Sequence, residues 1–111
     1  MQTGGGMDTN ESLLRAILAT VARGAFPPAV IYKIVAPLPG SDKQLVAYNL
    51  CDGQTPQAEI AKKAKLYQSN LSTSIARWIE AGVVVRVGKE QFPMHVYPLT
   101  KNDLKSLGEE R

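Results

Sequence analysis

The stretch from Thr55 to Val85, TPQAEIAKKAKLYQSNLSTSIARWIEAGVVV, constrains the fold more than any other part of the chain. Thr55 is a favourable N-cap and Pro56 suits the first helical position, so a helix is expected from there to Ala64. Ile60, Ala61 and Ala64 give it a short apolar stripe. The period breaks at Lys65-Leu66-Tyr67 and resumes with Leu71, Ile75, Trp78 and Ile79. That spacing predicts a second helix over residues 68–81, stopped by Gly82 as a C′ glycine. Two amphipathic helices joined by so tight a corner read as a helix-turn-helix.

The flanking segments add to this core. Val83, Val84, Val85 and Val87, with Arg86 among them, predict a strand. Gly88-Lys89-Glu90-Gln91 reads as a turn, and Met94, His95, Val96 and Tyr97 as the return strand, ended by Pro98. Thr100 with Asp103 opens a short last helix through Leu104 and Leu107. Upstream, Ser41 with Gln44 forms a capping box before Leu45, Val46, Tyr48, Asn49 and Leu50, and Asp52-Gly53 stops that helix. Residues 29–36 suit a helix opened by Pro27-Pro28 and closed before Pro37, or a strand, because Val30, Ile31, Ile34 and Val35 are β-branched; the helix is preferred. Pro37, Pro39 and Gly40 make a stiff connection.

Residues 1–7 are Gly-rich and read as disordered. Asp8 with Glu11 makes a capping-box-like pair before Leu13, Leu14, Ile17, Leu18 and Val21, which share one helical face that Gly24 closes. That stripe either caps the core of its own chain or pairs with a second copy. The expected organisation is a disordered start (1–7), an N-terminal helical extension (8–40) and a core domain (41–108).

The segment from Glu59 to Val84 resembles the helix-turn-helix of winged-helix transcription regulators, the MarR-like group most of all. Those run E-[IL]-A, a Leu or Ile at the turn, small polar residues, an apolar residue paired with a later Ile, and a final E-x-G-[LV]-[VI]. The following hairpin extends the likeness to near Thr100. The resemblance implies a mainly α fold with a small β-hairpin (α+β), a winged helix-turn-helix with an extra N-terminal helix. It also implies a regulator that binds double-stranded DNA, with helix 68–81 in the major groove and hairpin 84–98 as the wing. Relatives dimerise through terminal helices, so it favours a homodimer through residues 8–36. The tip GKEQFP departs from the Asp-x-Arg of MarR-like wings, leaving Lys89 as its only basic residue.

On a helical wheel of about 100° per residue, Ser69, Asn70, Thr73 and Arg77 lie opposite Leu71, Ile75, Trp78 and Ile79, with Ser72 on the flank. Ser69, Thr73 and Arg77 stack along one ridge, short enough at its start to approach base edges. Gln68 and Asn70 carry the donor–acceptor pair that matches adenine. Arg77 suits a phosphate. Lys63, with Lys62 and Lys65, and Lys89 are electrostatic candidates, and the helix start at Thr55 and Gln57 offers amides to a phosphate. Residues 1–54 carry four basic and four acidic side chains, whereas residues 55–101 carry seven basic and three acidic. The positive excess therefore falls on the half expected to meet DNA.

Other classes fit poorly. One cysteine, Cys51, and one histidine, His95, make neither a disulfide nor a metal centre, and no glycine-rich phosphate loop or assembled nucleophile is present. No enzyme, no cofactor and no metal is expected. There is no secretory signal and no apolar run of membrane length, so a cytoplasmic home without a membrane partner is expected. The competing reading is a winged-helix protein-interaction module that never touches DNA.

Overall fold

The computed structural model describes residues 9–38 and 41–110; the expectations for residues 1–8, Pro39 and Gly40 fall outside them. Among the described residues the chain forms six helices and one two-stranded antiparallel sheet, an α+β arrangement. They run α1 (Thr9–Ala25), α2 (Pro28–Val35), α3 (Asp42–Leu50), α4 (Gln57–Ala64), α5 (Gln68–Ala81), β1 (Val84–Val87), β2 (Phe92–His95) and α6 (Lys101–Glu110).

Residues 28–35 are helical because Pro27 and Pro28 preset the first turn and Pro37 blocks extension. Ile31 and Val35 then point into the core on one side. Gly24 does not close α1, which runs on to Ala25 and ends where Pro27 cannot donate; α1 and α2 meet at 89°. The capping box at Ser41 does not form. Ser41 takes the cap position without a side-chain bond, and the Gln44 N–H goes to the Ser41 carbonyl instead. At Thr100 the expected box is present. Asp103 N–H donates to the Thr100 hydroxyl at 3.1 Å, and Thr100 N–H donates back to the Asp103 carboxylate at 3.0 Å.

Among the described residues all six helices contribute side chains to the core, α6 through Leu104. Trp78 and Tyr48, both fully buried, meet edge-to-face at 5.9 Å between ring centroids. Around them pack Ile31, Val35, Ile60, Leu71, Ile75, Val83 and Val84. The Tyr48 hydroxyl donates to the Tyr97 carbonyl at 2.6 Å, and Asn49 clamps Leu99 through both its N–H and its carbonyl, at 2.9 and 3.0 Å. Burial pushes the Tyr48 phenol well above its usual range, against the favourable bond to Tyr97. Cys51 is buried with its thiol pushed up to about 12, first by desolvation and then by the Asp52 carboxylate.

The sheet is offset from its expected position. The return strand is Phe92–His95 rather than 94–97, with Val84 opposite His95 and Arg86 opposite Pro93. Residues 51–53 line the other side of β2: His95 N–H donates to Cys51 at 2.7 Å, Gly53 N–H to Pro93 at 2.9 Å, and Asp52 bridges Met94. The Pro93 carbonyl points toward Gly53, and its missing N–H would point the same way, so the β1–β2 ladder loses no bond to the proline.

α1 docks through one narrow arc. Ala22 is buried, Leu18 and Ala19 lean on the core, and Arg15 Nη2 donates to the Asp52 carbonyl at 2.6 Å. The Arg23 guanidinium stacks 4.2 Å from the centroid of the Tyr97 ring, whose hydroxyl donates to the Phe26 carbonyl. The neighbouring arc is open: Leu13, Leu14, Ile17 and Val21 are 57%, 66%, 50% and 64% exposed. The five apolar residues expected on one face therefore divide, and only Leu18 turns inward.

Candidate nucleic-acid interface

The corner between α4 and α5 sets the geometry of this face. Lys65 adopts the left-handed conformation (φ 60°), and Leu66 N–H returns to the Ala61 carbonyl at 2.9 Å, closing α4 sharply. α5 starts after Tyr67, which occupies the cap without a side-chain bond and is 79% exposed. At its far end Gly82 (φ 89°) is the left-handed cap. Between these ends Leu71, Ile75 and Trp78 are fully buried and Ile79 is partly buried. Gln68, Ser69, Asn70, Ser72, Thr73 and Arg77 are all exposed, as the wheel places them.

The side chains on that face are not all equally available. The Thr73 hydroxyl donates to the Ser69 carbonyl at 3.1 Å, one helical turn back, so its proton is committed while its oxygen still accepts. Lys63 is paired with Glu59 at 3.2 Å on an exposed helix surface, a weak pairing that nonetheless sets a negative charge beside it. Lys89 is exposed in the turn beside Glu90.

Thr55 is not the N-cap. α4 begins at Gln57 behind Pro56, and the Thr55 hydroxyl donates instead to the Asp52 carboxylate at 2.9 Å. Gln54 N–H donates to the same carboxylate at 2.8 Å, an Asx turn. Burial alone would raise the Asp52 carboxyl, but these bonds outweigh it and hold it below the usual carboxylate range. An ionised Asp52 beside Thr55 makes that side chain a poor neighbour for a phosphate.

Gln57 and Ser72, both expected at the interface, are joined to each other and to Arg86. Gln57 Nε2 donates to Ser72 Oγ at 2.6 Å. Arg86 Nη2 donates to Gln57 Oε1 at 3.3 Å, and Nη1 to the Gln91 carbonyl at 3.1 Å. Arg86 was absent from the sequence-derived candidates. Its only mark in the sequence is that it is the one charged residue in a run of valines; strand alternation would set it on the face of the buried Val84, so its exposure comes from the tertiary structure. Among the described residues no group of three His, Cys, Asp or Glu side chains could hold a metal ion, and no single helix is long and apolar enough to cross a membrane.

Comparison with protein-family models, with curated proteins and with solved structures gave no match to this chain.

Proposed function

We propose that the chain is a winged helix-turn-helix regulator that binds double-stranded DNA with sequence preference, α5 entering the major groove and the 84–98 hairpin acting as wing. The observation that carries the reading is the division of α5. Leu71, Ile75 and Trp78 have no exposure, while Ser69, Asn70, Thr73 and Arg77 stand in solvent along the opposite side. A helix anchored so firmly and faced with short polar groups and one arginine has the chemistry a groove requires. The order of elements supports it: a helix, a short bridged segment at residues 51–53, two helices and then a hairpin whose second strand pairs with that segment. Its assembly is a homodimer through residues 8–36, and a cytoplasmic location suits its buried, unpaired Cys51.

Selection of bound sequences from random duplexes, by mobility shift at two salt concentrations, tests the reading. Enrichment of a short site and affinity that falls with salt are expected. Binding that is absent or indifferent to salt would count against it. Arg77→Ala should weaken all sequences alike, whereas Asn70→Ala should relax preference at one position, a discrimination of about 1–3 kcal/mol.

The second reading, a docking module for another protein, has one observation in its favour: the exposed apolar arc Leu13, Leu14, Ile17 and Val21. The segment from Val30 to Val35 lends it less, because Val30 is 40% exposed but Ile31 and Val35 are buried, which leaves no continuous apolar patch there. A duplex-binding protein whose α1 variants bind DNA normally but lose a protein partner would favour this reading for α1 alone.

A further inference from the structure

Arg86, Gln57 and Ser72 come from three elements, β1, α4 and α5, and meet on one exposed surface. We propose that they form a polar brace that fixes the hairpin against α5, that Arg86 is a direct contact to a DNA backbone phosphate, and that Gln57 is its positioning residue. The proposal rests on the DNA-binding reading and extends it to residues that the helix wheel does not reach.

The donor and acceptor roles carry the argument. A guanidinium has five N–H donors in a planar fork. Arg86 directs one nitrogen to the Gln91 carbonyl and another to Gln57 Oε1, both neutral acceptors, so neither cancels its charge. Lys63, by contrast, is held by Glu59. Three of the five donors are left over by these two bonds, on a side chain that is exposed. Gln57 uses both ends of its amide: the oxygen accepts from Arg86 and the nitrogen donates to Ser72. Ser72 Oγ, already accepting that bond, is left with its own proton to give. The cluster thus presents a charged fork and a hydroxyl donor together, and an anionic oxygen is the ligand both can serve. A diester phosphate beside a groove-bound α5 meets that requirement. Sequence reading is left to the Ser69–Asn70–Thr73 side.

The brace is tested first without DNA. The Gln57 side-chain amide signals in a nitrogen–proton NMR spectrum should move in both Arg86→Ala and Ser72→Ala, while the melting transition stays unchanged. An unmoved Gln57 amide in Arg86→Ala overturns the brace. A second experiment titrates a short duplex across a salt series. Arg86→Ala should lower the slope of log affinity against log salt by about 0.9, the value of one phosphate contact. Gln57→Ala should keep the slope and weaken binding roughly fivefold, a loss of position rather than of charge. Arg86→Lys should keep the slope but bind more weakly than wild type, because an ammonium lacks the fork. A wild-type slope in Arg86→Ala overturns the phosphate contact while the DNA-binding reading stands. A wild-type protein that binds no duplex overturns both.

Discussion

His95 illustrates how one side chain can make the fold sensitive to pH. Its Nδ1 lies 3.0 Å from the Tyr48 carbonyl, and its ring is tilted on the Tyr48 ring at 5.4 Å. Burial lowers its pKa; the Tyr48 carbonyl and Asp52 oppose that shift and the Arg15 charge adds to it, with a net lowering. The unfolded histidine titrates near its usual value of about 6.5. Between that value and the lower folded one, the unfolded chain holds the extra proton, so stability falls as the pH drops and levels off below the folded pKa. A melting series from about pH 8 to about pH 5 should therefore show a declining midpoint, and His95→Gln should flatten the decline. A pH-independent midpoint in the wild type would contradict the burial of this ring. Cys51, whose carbonyl accepts the His95 N–H, is a thiol that stays protonated and inert while the fold holds.

At the scale of elements, Gly53 holds the largest local consequence. Its φ is 82°, and a Cβ there would come within 2.9 Å of Arg15 Nη2 and 3.1 Å of Val87 Cγ2. Gly53→Ala should cost about 1–3 kcal/mol in chemical denaturation, through the left-handed backbone and the displaced arginine together. A neutral result would contradict the left-handed backbone described at this position. This site also shows what sequence could and could not convey. Helix α5 was legible because Leu71, Ile75 and Trp78 repeat at helical spacing and nothing competes for them. The start of α4 was not, because the Thr55 hydroxyl could either accept from an amide N–H ahead of it or donate to the Asp52 carboxylate behind it, and local spacing cannot rank the two. The return strand was placed two residues late because Pro93 discounts a strand, and only the pairing with residues 51–53 shows that its lost donor faces away from β1. On the candidate interface, the exposure of Ser69, Asn70, Thr73 and Arg77 followed from one helical period. Arg86 reaches the same surface only through tertiary pairing, so no single period could point to it.

The whole molecule is elongated, 49 × 31 × 23 Å, with a radius of gyration of 14.3 Å; a compact chain of this length would have about 13 Å. Helix α1 was too apolar around its circumference for sequence to decide which arc it buries, and it offers two: the Arg15–Leu18–Ala22 arc meets its own chain, and the Leu13–Leu14–Ile17–Val21 arc meets water. A second copy laid on that arc would bury it. Sedimentation equilibrium should then give a dimer for the wild type and a monomer for Leu14→Glu with Val21→Glu, both at positions where the isolated fold tolerates charge. A wild type that remains monomeric at high concentration would remove the homodimer from the proposal. The clamps between Tyr48 and Tyr97 and between Asn49 and Leu99 have a consequence in time as well as space. They join residues about half the chain apart, so α3 has no finished surroundings until the segment after the hairpin arrives. During synthesis the α4–α5 pair can form locally, yet Tyr48 and Asn49 of α3 gain these partners only after the segment from Tyr97 to Leu99 has left the ribosome.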